Sequence, residues 1–301
     1  MDVGVYAPCE APQDERCARA HDGPRHDENF RWETASGWGS VVTGMNAAGH
    51  GVRGNAFEEQ GVFADSSRAH PTFFKMLRDR GLRTAAGGVG NFLTSRDGEE
   101  IDAGVVDFEC GLKEGVLRVQ WTDKTSCNLD HRRADDLESE ERDENLARWL
   151  KQRIAADDAQ LLMGVFDEVD AAGHSFGFED DEGYPAAIAS VDTLVGAVLG
   201  SLVERVVSLN QAWLVVLTSD HGGHDVLFGL LGHHHQTPLW DDAVPFVVAT
   251  FGTGRPLRPV TSPVRHMDVH PTVMAWFGLD PGPVDGRAQG IPSRRSLAGS
   301  K

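Results

Sequence analysis

Two apolar runs of the chain each stop at side chains of the kind that bind metal ions. LLMGVF (161–166) is followed by DEVDAAGHSFG, and AWLVVLTS (212–219) is followed by DHGG. Continuous apolar runs of this length are typical of strands that are buried on both faces of a parallel sheet. Ligands of such sheets bind beyond the carboxyl ends of the strands. The sequence therefore predicts that four side chains lie at the ligand-binding edge: Asp170, His174, Asp220 and His221.

Helical patterns alternate with the apolar strands. Apolar residues recur at helical spacing over 70–81, 142–158 and 185–209. A shorter helix is expected over 270–279, and further strands in the segments RTAAGGVGNF and AVPFVVAT. The acidic run 135–144 is interpreted as a solvated helix start. The predicted fold class is α/β, with a mostly parallel central sheet flanked by helices on both faces.

Charge and hydropathy exclude some classes of partner. The formal net charge is −18, from 46 acidic and 28 basic residues. A surface of this sign repels phosphate polymers, so we expect no nucleic acid polymer as a partner. No basic segment followed by an apolar one opens the chain, and no apolar run reaches the ~18 residues of a membrane span. We expect a soluble protein with no visible signal peptide and no membrane segment.

The residue types at the two strand ends favour a divalent metal centre. Mixed aspartate and histidine donors suit Zn²⁺ or a similar ion, whereas all-oxygen sites suit Mg²⁺ or Ca²⁺. A third cluster, GHHHQTP (232–238), precedes the strand AVPFVVAT. Each motif alone is more often a helix cap or a turn. Their convergence on strand ends predicts a metal site.

The two motifs DEVDAAGHSFGF and LTSDHGG resemble those of the alkaline phosphatase superfamily, in particular its type I phosphodiesterase/nucleotide pyrophosphatase-like members. Those proteins carry a D-x-x-G-H motif, an S-D-H-G motif and a later histidine, which together hold two zinc ions. The resemblance implies that Asp170, His174 and the later histidine bind one ion, and that Asp220 and His221 help to bind the other.

The later histidine is best matched by His233, because it follows a glycine and lies four residues before a Thr-Pro pair, as in that group. His234 and His235 remain alternatives. His224 is interpreted as a loop residue.

The segment TASGWGSVVTG (34–44) resembles the nucleophile loop of the superfamily, in which the attacking residue stands nine positions before the threonine of T-G. That rule selects Thr34, with Ser36 as the alternative, and Ser40 as a helix-turn residue. A hydroxyl is a weak nucleophile until a metal lowers its pKa, so Thr34 is also expected to be a metal ligand. The segment HGVRGN resembles one whose asparagine donates to a phosphoryl oxygen, which implies that role for Asn55.

The resemblance covers residues 34 to 279, approximately, and it implies that the chain has two parts. A polar segment over 1–33, without a convincing strand, precedes an alkaline phosphatase-like metallohydrolase domain over 34–301, with a small inserted cap at about 95–141. The superfamily's first strand normally ends in Asp-Gly, and that aspartate binds the second metal. No apolar strand precedes Asp22-Gly23 here, so either Asp22 or Asp27 substitutes, or the second site keeps only Thr34, Asp220 and His221.

The resemblance implies metal-dependent hydrolysis of phosphate esters, of phosphodiesters or nucleotide pyrophosphates, through a covalent phospho-threonine intermediate. The expected partner is a small phosphorylated substrate, and the expected cofactors are two divalent metal ions, with zinc preferred. One alternative is a phosphomonoesterase or sulfatase on the same scaffold, although the C/S-x-P-x-R loop of sulfatases is absent. The other is a catalytically impaired homologue that lacks the first metal aspartate and binds a metal or ligand without turnover.

Overall fold

The computed structural model describes part of the chain, in these ranges: 2–5, 18–19, 34–51, 70–87, 139–156, 159–179, 182–226, 231–233, 243–252, 257–258, 260 and 264–291. The strands in these ranges are β1 (Asp2–Val5), β2 (Ala18–Arg19), β3 (Thr84–Gly87), β4 (Leu161–Gly164), β5 (Trp213–Thr218), β6 (His224–Val226), β7 (Leu231–His233), β8 (Ala243–Val244) and β9 (Phe246–Phe251). The helices are α1 (Thr34–Thr43), α2 (Ala47–His50), α3 (Phe73–Arg78), α4 (Ser139–Ala156), α5 (Glu168–Phe176), α6 (Gly183–Leu209) and α7 (Val269–Phe277).

The chain forms two compact units. The first unit comprises Met1–Phe73, Leu209–Gly222 and His234–Lys301, and the second comprises Phe74–Ser208 and Gly223–His233. Each unit is held by its own strands and helices.

The first unit contains a three-stranded antiparallel sheet in the order β1-β9-β5. β9 reads FVVATF and is central, and its residues are mostly buried, with Val248 only 1% exposed. Helix α7 packs against β5, and α1 packs against α7. A two-residue antiparallel pair, β2 with β8, lies in the same unit. The apolar run of β9 therefore forms the buried centre of this sheet, as predicted, but both of its pairings are antiparallel and not parallel as the run suggests, because burial on both faces does not fix strand direction.

The N-terminal segment differs from the expectation that 1–33 contains no strand. β1 pairs antiparallel with β9, with Val3 opposite Ala249 and Val5 opposite Val247. Strand preference depends strongly on the neighbouring strand, and four residues with only two valines carry little local signal. The pairing partner lies more than 240 residues away in sequence, which local pattern reading does not detect.

The second unit is built around two parallel strands, β3 and β4, paired from Thr84 with Leu161 to Gly87 with Gly164. Helix α4 packs against both strands. The core of the unit includes a cluster of the following buried side chains: Ala85, Leu146, Trp149, Leu150 and Ala159, with Leu162, Phe166 and Val198 packed against them. The unit thus combines parallel strands and a covering helix, as the sequence predicts for this region.

The acidic run 135–144 does lead into a helix, because α4 begins at Ser139. The interpretation of the whole run as solvated is wrong for Asp143, which is only 1% exposed. Its carboxylate accepts hydrogen bonds from the backbone at the start of another helix, and these bonds offset part of the cost of burial.

Helix α6 is the longest helix of the described residues. Its buried face includes Leu202 and Arg205, and the guanidinium of Arg205 donates to the carbonyl of Ile154 at the end of α4. By length and composition α6 is apolar enough to cross a membrane, and 11% of its most apolar window is buried. Core helices of soluble proteins can meet the same criteria, so the expected lack of a membrane segment stays a prediction.

Candidate functional site

Three hydroxyl side chains of α1 differ in exposure, and two of them, Thr34 and Ser36, are the candidates for the nucleophile. Thr34 stands at the first position of the helix and is partly exposed. Ser36 is fully buried, and Ser40 is 1% exposed. Ser40 Oγ also lies 3.0 Å from Nε2 of His50, which is itself buried. Thr34 is therefore the hydroxyl of the three that a substrate can reach.

The first turn of α1 packs directly on the S-D-H-G turn that follows β5. A Cβ added at Gly37 would lie 2.2 Å from the carbonyl oxygen of Asp220. A contact this close leaves no room for any side chain, so glycine is required at this position. The approach sets the helix that begins at Thr34 against the backbone of Asp220, within the first unit.

The imidazole of His221 is oriented by the backbone of the residue that follows it. Nδ1 lies 2.9 Å from the carbonyl oxygen of Gly222, and a carbonyl can only accept, so Nδ1 carries the donated proton. Nε2 then presents its lone pair, 3.5 Å from Oδ2 of Asp220. Ser219 Oγ donates to the carbonyl of His221 at 2.8 Å and so braces the turn. Histidines that bind metals typically donate their other ring N–H to a carbonyl in this way.

In the second unit the two other ligand candidates lie on a helix rather than directly at a strand end. Helix α5 begins at Glu168, four residues after the last residue of β4. Asp170 and His174 are four residues apart and so share one face of α5. Their side chains approach to 3.6 Å, measured from Oδ2 to Nε2, and both are about 40% exposed.

The start of α5 is capped by a side chain from α4. Asp167 precedes the helix but makes no capping bond of its own. The carboxylate of Asp143 accepts from the backbone N–H of Asp167, at 2.8 and 3.1 Å, and of Glu168, at 2.9 Å. Burial raises the pKa of Asp143 from 3.8 to about 6, although these N–H bonds favour the ionised form.

The hairpin of β6 and β7 brings His233 beside α5. β7 ends at His233, and α5 and β7 are in contact. His224, which the sequence analysis interpreted as a loop residue, lies instead on β6 directly opposite His233. Strand pairing with β7 explains this difference.

The geometry of the donor pairs fits a zinc-type ion. Two ligands about 2.0–2.1 Å from a tetrahedral ion are about 3.3 Å apart. The Asp170–His174 and Asp220–His221 separations of 3.6 and 3.5 Å are close to this spacing. Within the described ranges no group of three or more histidine, cysteine, aspartate or glutamate side chains forms a complete cluster.

Several predicted site residues lie outside what the structure describes. Only the backbone position of His233 is described. The others are entirely outside the described residues: Asn55, His234, His235, Asp22 and Asp27, together with 95–138 of the expected cap. Their roles stay predictions.

Two carboxylates that hold the two ends of α5 were not predicted from the sequence. Asp143 was hidden in an acidic run, and Asp225 in the polar stretch after S-D-H-G. The one available signal was the position of Asp143 in the periodic pattern of α4, three residues before the buried Leu146. No signal in the sequence marks Asp225.

Comparison with solved structures places the fold among alkaline phosphatase-like α/β enzymes. The lipoteichoic acid synthase LtaP from Listeria monocytogenes matches with a TM-score of 0.53 and 15% identity, over 91% of this chain and 65% of that one. Murine ectonucleotide pyrophosphatase / phosphodiesterase 5 matches with a TM-score of 0.55 and 14% identity, over 85% of this chain and 87% of that one. An inactive threonine-to-alanine variant of the murine protein, in complex with AMP, matches with a TM-score of 0.55 and 13% identity, over 85% and 86%.

The sequence itself assigns the family. Residues 19–245 match the type I phosphodiesterase / nucleotide pyrophosphatase family, and this chain belongs to it. Comparison with curated proteins gives no match. The predicted fold class and family are thus confirmed, and the protein is a phosphoric ester hydrolase of the phosphodiesterase/nucleotide pyrophosphatase type.

Proposed function

We propose that this hydrolase cleaves phosphodiesters or nucleotide-type pyrophosphates with Thr34 as the nucleophile and two zinc ions as cofactors. One ion would be held by Asp220, His221 and Thr34 in the first unit. The other would be held by Asp170, His174 and His233 in the second unit. The separations of the described donor pairs, 3.6 and 3.5 Å, support this assignment, because they are close to the spacing of two ligands on one ion.

The observation that carries the proposal is the contact of Gly37 with the carbonyl of Asp220. It brings the start of α1 to the turn that holds the aspartate and histidine donors. Thr34 is the accessible hydroxyl of that helix, since Ser36 is fully buried. The murine relative whose threonine is replaced by alanine is described as inactive, which supports a threonine in this role.

In the proposed reaction Thr34 Oγ attacks phosphorus and forms an O–P bond, while the bond from phosphorus to the leaving oxygen breaks. Bound zinc would supply a Lewis acid that favours the deprotonated hydroxyl and offsets charge on the phosphoryl oxygens. Thr34 then carries a phosphoryl group that keeps the other ester substituent of the substrate, until water attacks the phosphorus, the bond from phosphorus to the Thr34 oxygen breaks, and that oxygen takes up a proton to restore the hydroxyl. Asn55 would donate a hydrogen bond to a phosphoryl oxygen, whose negative charge grows in the transition state.

The substrate class is proposed from the family and its relatives. AMP is bound in the variant of the murine relative, so a nucleotide-type phosphoryl compound is the first substrate to test. A phosphomonoesterase is the alternative activity on the same scaffold. Rates on bis-nitrophenyl phosphate and on nitrophenyl phosphate distinguish the two, because the diester should be the faster substrate here.

The test replaces the nucleophile and a matched buried hydroxyl on the same helix. Thr34→Ala should lower kcat on the nitrophenyl diester by at least about 10³-fold, the size of effect seen when a catalytic nucleophile is removed. Thr34→Ser should retain part of the activity, because the attacking oxygen remains. Ser36→Ala should stay within about threefold of the wild type, since it removes no reacting group. Zinc content, measured by mass spectrometry of metals, should remain close to two ions per chain in Ser36→Ala, whereas Thr34→Ala should lower the occupancy of the first unit's ion, because it removes one of the three proposed ligands.

Two results would reject the proposal. Full activity of Thr34→Ala would remove the nucleophile assignment. One zinc ion or none per wild-type chain, with no turnover of any nitrophenyl ester, would favour the impaired homologue instead. Intact-mass measurement after rapid acid quench of the reaction with the nitrophenyl diester adds a direct check, because the covalent intermediate on Thr34 adds the mass of one nitrophenyl phosphoryl group.

A further inference from the structure

One carboxylate joins the two elements that carry the ligand candidates of the second unit. Asp225 lies on β6, beside Gly232 of β7 in the pairing register. Its Oδ1 accepts from the backbone N–H of Phe178 at 2.5 Å, and its Oδ2 accepts from that of Glu179 at 3.2 Å. Both donors belong to the turn that follows α5. The hairpin that carries His233 is therefore fastened to the end of the helix that carries Asp170 and His174.

The backbone at the end of α5 is shaped to receive this carboxylate. Gly177 has a φ of 100°, a conformation that residues with side chains rarely adopt. A Cβ at Gly177 would lie 2.7 Å from Oδ2 of Asp225. Glycine is thus required at this position for two reasons: the positive φ and the close approach of the carboxylate.

An aromatic ring packs beside the contact between Asp225 and the turn that follows α5. The ring of Phe178 packs so tightly on Gly173 of α5 and on Gly223 that a Cβ at either glycine would lie 2.4 Å from ring carbons. The same ring meets His174 edge to face, with centroids 6.1 Å apart. Polar and apolar contacts therefore fix the same junction of α5 with the start of the hairpin.

We infer that Asp225 is a positioning residue for the metal ion of the second unit, which it serves by fixing the separation between α5 and β7. The inference rests on the proposed function. A zinc ion needs its ligands within about 0.2 Å of their ideal distances, and those ligands come from two separate elements here. Asp225 touches neither the substrate nor the ion, and it acts through the backbone of Phe178 and Glu179.

Metal affinity tests this role with a readout that does not depend on turnover. Outer-shell partners of metal ligands typically contribute about 10–100-fold to affinity. Asp225→Ala should weaken binding of one of the two zinc ions by about that factor in a chelator-competition titration, while the other ion keeps its affinity. Asp225→Asn should lose less, because one oxygen still accepts from Phe178. Asp280→Ala is the matched control, since Asp280 accepts from the backbone N–H of Gly282 at 2.9 Å in an exposed turn of the first unit.

The outcomes separate this inference from the proposed function. Wild-type binding of two zinc ions, with both affinities unchanged within twofold in Asp225→Ala and Asp225→Asn, overturns the positioning role and leaves the proposed function standing. If the metal-free variants are less stable but bind zinc with unchanged affinity, the positioning role is also overturned, because Asp225 then has only a structural role. Failure of the wild type to bind zinc overturns both. If Asp225→Ala does not fold, Asp225→Asn, which has nearly the same shape, decides the question by its zinc affinity.

Discussion

At the scale of single residues, Asp143 combines burial with three hydrogen bonds that favour its charged form. The side chain is 1% exposed, and it accepts from the N–H groups of Asp167 and Glu168 at the start of α5. Desolvation outweighs these bonds and raises the pKa to about 6. The folded protein therefore holds a proton on this carboxyl at pH values where the unfolded chain has released it.

Stability should fall as the pH rises from about 4 to about 6, because the pKa of Asp143 is higher in the folded state than its ordinary value of 3.8. The difference between these two pKa values corresponds to roughly 3 kcal/mol of unfolding free energy over that window. Asp143→Asn removes the titration. The free energy of unfolding of the wild type should therefore fall relative to that of the variant as the pH rises. Thermal unfolding of both proteins between pH 4 and pH 7, in the presence of a chelator, measures this difference.

The comparison needs a control because Asp268 is buried and has a raised pKa as well, for the same reason of desolvation. Both proteins contain Asp268, so its contribution cancels in the difference between them. Glu144→Gln, the same type of change at an exposed neighbour on α4, should leave the pH profile of the wild type unchanged. A stability difference between wild type and Asp143→Asn that is constant across the whole range would contradict the prediction.

At the scale of elements, the same substitution at two helical glycines should have opposite effects. Gly37 in α1 lies against the carbonyl of Asp220, and an added Cβ would come within 2.2 Å of it. Gly200 in α6 has nothing within 4 Å of an added Cβ. Gly37→Ala should therefore move α1 away from the turn and lower both stability and kcat. Gly200→Ala should stabilise the protein by about 0.5–1 kcal/mol, because alanine is the better helix former.

Denaturant unfolding and the nitrophenyl diester assay together check the pair. Gly200→Ala is the control for Gly37→Ala, because it adds the same methyl group at an exposed position of a helix. Equal effects of the two substitutions on stability, or full activity of Gly37→Ala, would show that α1 does not depend on this close approach.

Elements with strong local periodicity could be predicted from the sequence. The apolar runs gave β4, β5 and β9, and helical spacing gave α4, α6 and α7 to within a few residues. Such a pattern arises because residues at regular intervals along one element pack against the core, so the pattern is contained within the element itself. The pairing of Asp220 with His221 is also local, so sequence alone places both donors on one turn.

Elements that depend on distant partners could not be predicted. Helix α5 is short, contains Gly173, and is capped by Asp143 from 24 or more positions earlier rather than by its own N-cap residue. Strand β1 exists because β9 pairs with it. The role of Asp225 depends on a contact 47 positions away, at Phe178. Such contacts are set by the tertiary fold, so a scan of local residue pattern does not find them.

At the scale of the whole molecule, the net charge of −18 should govern how anionic substrates approach. A protein of this charge repels a phosphodiester, and added salt shortens the range of that repulsion to about 8 Å at physiological ionic strength. Therefore kcat/KM should rise as salt is increased from about 10 to about 150 mM, by roughly twofold to tenfold. Many enzymes that act on anionic substrates attract them and show the opposite trend.

The charge on the substrate gives this prediction an internal control. Bis-nitrophenyl phosphate carries one negative charge, and nitrophenyl phosphate carries about two at pH 8. Because the repulsion scales with the product of the charges, the logarithm of kcat/KM should rise about twice as steeply with the square root of ionic strength for the monoester. Parallel series in sodium and potassium chloride, at fixed free zinc, separate screening from specific ion effects. A fall of kcat/KM with salt for both substrates would mean that local positive charge, rather than the acidic surface as a whole, sets the potential that the substrate meets.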